Sequence, residues 1–158
     1  MPEQTEIRIS TQGLERLMRN IDAMNRSYIR VGILGENAKR SGPGPDNAEI
    51  ARVHEFGSAS RGIPERSFLR APLTLNTQRG LDAHRPALTK AITALGPKPM
   101  LKTIASVCEG VSKEAFATSF GGRWPANAPA TIAAKGSDRP LIDTGQLRRA
   151  VSADFVNQ

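Results

Sequence analysis

Cysteine is nearly missing from this chain. Cys108 stands alone, so no intrachain disulfide can form and no cysteine-based zinc site can be assembled. Histidine is almost as scarce, with only His54 and His84, which leaves too few soft ligands for a transition-metal centre. No cofactor is expected. Aromatic residues are few, one Trp, one Tyr and five Phe, so the core is expected to be built mostly from Leu, Ile, Val, Met and Ala. No apolar run approaches the 18 or more residues of a membrane-spanning helix, and no membrane partner is expected. The opening MPEQTEIRIS is polar and acidic where a secretory signal would be basic and then apolar.

What is present is a chain of 158 residues with 39% hydrophobic and 23% charged residues, enough for one domain with a core of its own. Net charge is +7 with the excess in the second half: residues 1–70 carry +2 and residues 71–158 carry +5. Such a balance permits long-range attraction to acidic partners, nucleic acid included. The Lys and Arg are scattered, however, with no basic run, no basic helix and no interleaved aromatics of the kind a specific nucleic-acid reader uses.

Periodicity gives a coarse element order. Residues 6–9 alternate as a short strand. Leu14, Leu17, Met18, Ile21 and Met24 then fall on one face of a helix, with Glu15, Arg16, Arg19 and Asp22 on the other. SYIRVGIL alternates as a second strand, with Ile29, Val31 and Ile33 on one side. The Gly- and Pro-broken stretch 35–46 reads as a mobile or interface loop. Asp46 and Glu49 form a capping-box pair at the start of a short helix that presents Ile50 and Val53 inward and stops at Gly57. Residues 73–95 and 98–120 read as a helical hairpin joined at Gly96-Pro97, with Pro86 kinking the first arm or starting a new helix. Stretch 121–142 is a second mobile or interface loop with one helical turn at 130–134. A short helix capped by Asp143 or Thr144 and a closing strand of Val151, Ala153 and Phe155 follow. The expected fold is α+β in one domain, 1–158: a small, mostly antiparallel sheet packed by helices, with a central helical hairpin and long loops.

Three motifs tempt an enzymatic reading. His54-Glu55 begins a zinc-protease signature, but the second His would stand at position 58, which is Ser58. Asp143-Thr144-Gly145 is the triplet of aspartic proteases without its flanking context, and reads instead as a helix cap. Cys108 lies on the apolar face of a helix, where a structural thiol belongs. No enzymatic activity is expected.

Two longer strings carry more information. IARVHEFG followed by IPERSFLRAPL, and the late WPANAPATIAAKGSDRPLIDTGQLRRAVS, resemble in order and spacing the virion-morphogenesis proteins of tailed bacteriophages. These are the tail-completion or neck proteins of siphophages, Mu-like phages and prophages. The resemblance covers about residues 27–155. Its matching positions are His54, Glu55, Phe56, Gly57, Ile63, Pro64, Arg66, Phe68, Leu69 and Arg70. In the second string they are Trp124, Pro129, Thr131, Ile132, Lys135, Gly136, Pro140, Leu141, Ile142, Asp143, Thr144, Gly145 and Leu147. Ser67 departs from the family's usual Pro, from which a looser turn is expected, and Ala126-Asn127 replaces a small apolar pair.

The resemblance implies a structural subunit without an active site. It would form a homo-oligomeric ring, commonly a hexamer, at the head–tail junction of the virion after assembly in the host cytoplasm. Its partners would be the head-closure or adaptor ring, the tail terminator or tube, and the DNA passing through the lumen. Arg66, Arg70, Arg148 and Arg149 are then candidates for contacts between subunits or rings. A tail-terminator ring subunit, and a sequence-nonspecific DNA-binding or packaging accessory protein suggested by the basic charge, are the alternatives.

Overall fold

The computed structural model describes residues 11–157. They form an α+β fold in the order α1 (Thr11–Asn25), β1 (Ser27–Ile33), α2 (Asn47–Phe56), α3 (Arg70–Ala83), α4 (Arg85–Lys90), α5 (Pro97–Gly122), α6 (Pro129–Lys135), α7 (Gln146–Ala150) and β2 (Val151–Asn157). The strand expected at 6–9 lies outside the described residues.

Among the described residues the sheet is one antiparallel pair in which Ser27 faces Asn157 and Ile33 faces Val151. An isolated pair of strands is marginal in water, and this one is covered by α5. Glu109 on α5 fastens the two together: its carboxylate accepts from Ala153 N at 3.1 Å and from Lys113 Nζ at 2.6 Å.

The hairpin is present, with α3 lying against α5. Pro86 starts a new helix, α4, rather than kinking a continuous one, because the first turn has no use for the missing N–H. A single π turn, Ala91–Leu95, and Gly96 at φ 96° lead into α5. Close approach of the two arms depends on Gly80, where a Cβ would lie 2.7 Å from Val107 Cγ1. Along α5 the buried set is Leu101, Ala105, Val107, Cys108, Val111, Ser112, Ala115 and Phe116. The regular helix gives way to three left-handed residues, Ser119, Phe120 and Gly121, which turn the chain toward Trp124.

The buried apolar residues are mostly Ala, Leu and Val, as the composition implies, but the largest side chains at the core centre are aromatic. Phe68 and Phe116 lie 4.9 Å apart, Trp124 meets Phe116 edge-on at 5.8 Å, and Ala51, Leu147 and Val151 close around them. A few large rings contribute much of the buried area although they are outnumbered by aliphatic side chains. The apolar stripe of α1 is not a core face. Leu14, Met18 and Ile21 are 54%, 60% and 39% exposed, and the buried residue is Asn20, whose amide donates to Ile92 O at 2.7 Å.

Candidate functional site

His54 and Glu55 are neighbours on the last turn of α2, about 100° apart around its axis. They open onto two different environments. The capping box expected at Asp46 and Glu49 is present and sets the start of this helix. Gly57, φ 71°, ends it where a Cβ would lie 2.9 Å from Glu65 N. The residues that face inward are Asn47, Ala51 and Glu55; Ile50 and Val53 are only half-buried.

Glu55 is a buried latch. Its Oε1 accepts from Ser67 Oγ at 2.8 Å, Arg70 N at 2.9 Å and Arg70 Nε at 3.1 Å. Its Oε2 accepts from Phe68 N at 2.9 Å and Leu69 N at 3.0 Å. These donors surround the start of α3, where unpaired N–H groups and the helix dipole both favour an anion. Ser67 completes the arrangement, accepting at Oγ from Ala71 N at 2.9 Å. The carbonyls of the segment are held too: Ser67 O receives Trp124 Nε1 at 3.0 Å and Phe68 O receives Ser112 Oγ at 2.7 Å. Arg70 also pairs with Glu65 at 2.9 Å and lies over the ring of exposed Phe56 at 4.6 Å. The looser turn expected from Ser67 is therefore overturned. Its hydroxyl donates and accepts where proline could do neither, and the residue is 6% exposed.

On the other side of α2 lies a cleft of about 750 Å³, walled by α2, the turn at 61–64, residues 126–128, α6 and the stretch 141–147. It gathers eleven of the residues marked by the two sequence strings, from His54, Ile63, Pro64 and Arg66 to Thr131, Lys135, Leu141, Asp143, Thr144, Gly145 and Leu147. Arg40 and Arg61 join them, so four cationic side chains face one carboxylate, Asp143.

Arg66 is 6% exposed and has no ion pair among the described residues; Nε and Nη2 donate to Pro125 O at 2.9 Å and Ala126 O at 2.8 Å. Its main-chain N donates to His54 O at 2.8 Å. His54 Nδ1 is buried without a hydrogen bond. Burial, then the charges of Arg66 and Lys135, push the His54 ring down to about 4, so it is neutral at pH 7. Burial also lowers Lys135, a shift opposed by Asp143 and reinforced by Arg66. Lys135 Nζ donates to Arg139 O at 2.7 Å.

One further expectation changes here. Asp143 and Thr144 do not cap α7. The cap position is Gly145, φ 73°, with no side-chain cap hydrogen bond, and Asp143 has neither a hydrogen bond nor an ion pair among the described residues. An aspartic-protease pair needs two carboxylates sharing a proton, and Asp143 is the sole carboxylate on the cleft wall. Arg66 and Arg70 both make hydrogen bonds inside the subunit, and the Arg70 side chain stays half-exposed. Arg148 and Arg149 remain exposed on α7, with Arg148 Nε 3.4 Å from Lys113 O. Gly136 ends α6 in the left-handed conformation expected of it, φ 66°.

Sequence reading missed Ser67 as a latch member, Ser112, and Arg40 and Arg61 as cleft walls. It also missed Asn127, whose amide donates to Asp138 O at 3.0 Å and closes the loop across α6. Within stretch 121–142, Trp124, Asn127 and Pro140 are buried. Asn47 likewise ties stretch 35–46 to α2 by donating to Asn37 O and Lys39 O. Among the described residues no group of three or more His, Cys, Asp or Glu could hold a metal ion, and no helix is long and apolar enough to cross a membrane. Compared with protein-family models, curated proteins and solved structures, the chain matches none.

Proposed function

We propose that this chain is a structural subunit of a tailed-phage neck, which self-associates into a ring to complete the tail or join it to the head. The observation that carries the reading is the convergence of the two strings that resemble the neck family. Residues 54–70 and 124–147 are far apart in sequence, yet Arg66 grips the carbonyls of Pro125 and Ala126, and Trp124 grips Ser67. Motif residues that meet around one rigid segment and one open cleft suit a surface built for contact. In a ring each subunit presents two different faces to its neighbours, and rotation closes the set. Arg148 and Arg149, exposed on α7, belong to such a face.

Reversing both arginines, Arg148→Glu with Arg149→Glu, tests this. The expected result is a folded subunit with an unchanged melting curve and particles in which heads and tails fail to join. Normal joining by that variant overturns the contact assignment, and a particle complete without this subunit overturns the reading as a whole.

A sequence-nonspecific DNA-binding role is the second reading, favoured by the +7 charge and the four cations of the cleft. Its mark is saturable duplex binding that falls steeply with salt. A neck subunit is expected to show only weak, non-saturating binding.

A further inference from the structure

We propose that the cleft between α2 and α6 is a recognition site for a carboxylate side chain on an extended segment of a partner polypeptide. The partner's identity as a neighbouring neck protein rests on the function proposed above; the chemistry of the site does not. Arg66 is the central observation. An arginine that is 6% exposed as a residue, with its guanidinium held by two carbonyls and lacking any counterion among the described residues, is costly to bury. An arriving carboxylate supplies the missing charge.

Two further features point the same way. His54 lines the same space, and its Nδ1 is buried without a hydrogen-bond partner, so the ring has an unmet polar atom at the cleft wall. Lys135 on the opposite wall adds a flexible ammonium, and Asp143 leaves the site with a surplus of three positive charges among its lining residues.

The remaining surface selects among anions. Ile50, Ile63, Pro64 and Leu141 give the cleft an aliphatic floor that suits the side chain next to the acid. No Phe, Tyr or Trp lines it, so it lacks the large aromatic platforms on which bases usually stack. A space of about 750 Å³ is of small-ligand size, which a few peptide residues fill.

The test uses the full chain and its two histidines as built-in reporters, with His84 at the end of α3, outside the cleft, as the control. The probe is a blocked peptide, acetyl-Leu-Pro-Glu-Leu-Glu-amide, titrated against the imidazole proton resonances at neutral pH. Saturable movement of the His54 signals with His84 unmoved is expected, with the all-Gln counterpart at least about tenfold weaker, a difference of about 1.4 kcal/mol. Lys135→Glu should weaken the Glu peptide to a similar degree and Asp143→Asn should tighten it a few-fold. If Lys135→Glu fails to fold, Asp143→Asn alone decides.

Equal binding of Glu and Gln peptides, unmoved His54 signals, or an unchanged affinity in Asp143→Asn overturns the proposal. So does tighter occupation of the same site by inorganic phosphate or by a duplex oligonucleotide, which would make it a free-anion or nucleic-acid site. Failure of the ring reading looks different: the peptide still binds at His54, but the particle assembles without this protein.

Discussion

Glu55 and His54 are consecutive residues, yet the regions they serve differ in kind. Around Glu55 both carboxylate oxygens are occupied, the donors at the start of α3 are satisfied, and the flanking carbonyls of Ser67 and Phe68 are held. Around His54, among the described residues, there is a buried ring nitrogen without a hydrogen bond, a buried cation without a counterion and an acid without a hydrogen bond, on residues that line open space. A closed network contributes to folding and gains nothing from outside. An open one holds unused interaction energy that only a second molecule can release. The last turn of α2 therefore separates a folding element from a recognition element by one residue.

Breaking the closed side should have the largest effect. Glu55→Gln puts an amide NH₂ among donors and leaves several of them unpaired, at a cost of about 3–5 kcal/mol. For a domain of this size that lowers the melting temperature by roughly 10 °C, which thermal denaturation followed by circular dichroism will register. A loss below about 1 kcal/mol would mean that the latch contributes little, and the contrast between the two regions would collapse.

The open side should show itself through pH. The folded His54 ring titrates at about 4, below its ordinary 6.5, so the unfolded chain binds that proton more readily. Its contribution is complete above pH 6.5 and is lost as pH falls from 6.5 toward 4. The slope cannot exceed about 1.4 kcal/mol per pH unit for one group, and solvent at the cleft mouth reduces it. Urea midpoints measured from pH 4 to 7 should therefore fall more steeply for the wild-type chain than for His54→Asn. Parallel curves would place His54 in ordinary solvent.

The smallest effect belongs to Asp143. As a cleft-wall residue with no hydrogen bond among the described residues, its replacement by Ala should change stability by no more than about 0.5 kcal/mol. A loss of about 1 kcal/mol or more, as a true N-cap would show, would restore the capping role read from the sequence.

Much of the element order was legible before any coordinates. The capping box at Asp46 and Glu49, the stop at Gly57, the strand at 27–33, the break at Gly96-Pro97 and the close of α6 at Gly136 all follow from local rules. Those rules concern residues within a turn or two of each other, which is why sequence alone suffices. The same rules failed where a distant group took over the local role. Asp143 is a sound N-cap residue by composition, but the chain places Gly145 there and leaves Asp143 facing Lys135 across the cleft. The α1 stripe has the spacing of a core face, yet among the described residues Leu14, Met18 and Ile21 stay exposed.

Sequence alone determined that the chain has no disulfide framework, that its helices form a hairpin between two strands, and that two strings of residues carry its individuality. Only the tertiary structure decided what those strings do. It set Glu55 against the start of α3, closed an aromatic centre around Phe68, and left Arg66 without a counterion among the described residues beside His54. These are pairings between residues 12 to 70 positions apart, fixed by burial and hydrogen-bond satisfaction rather than by local propensity.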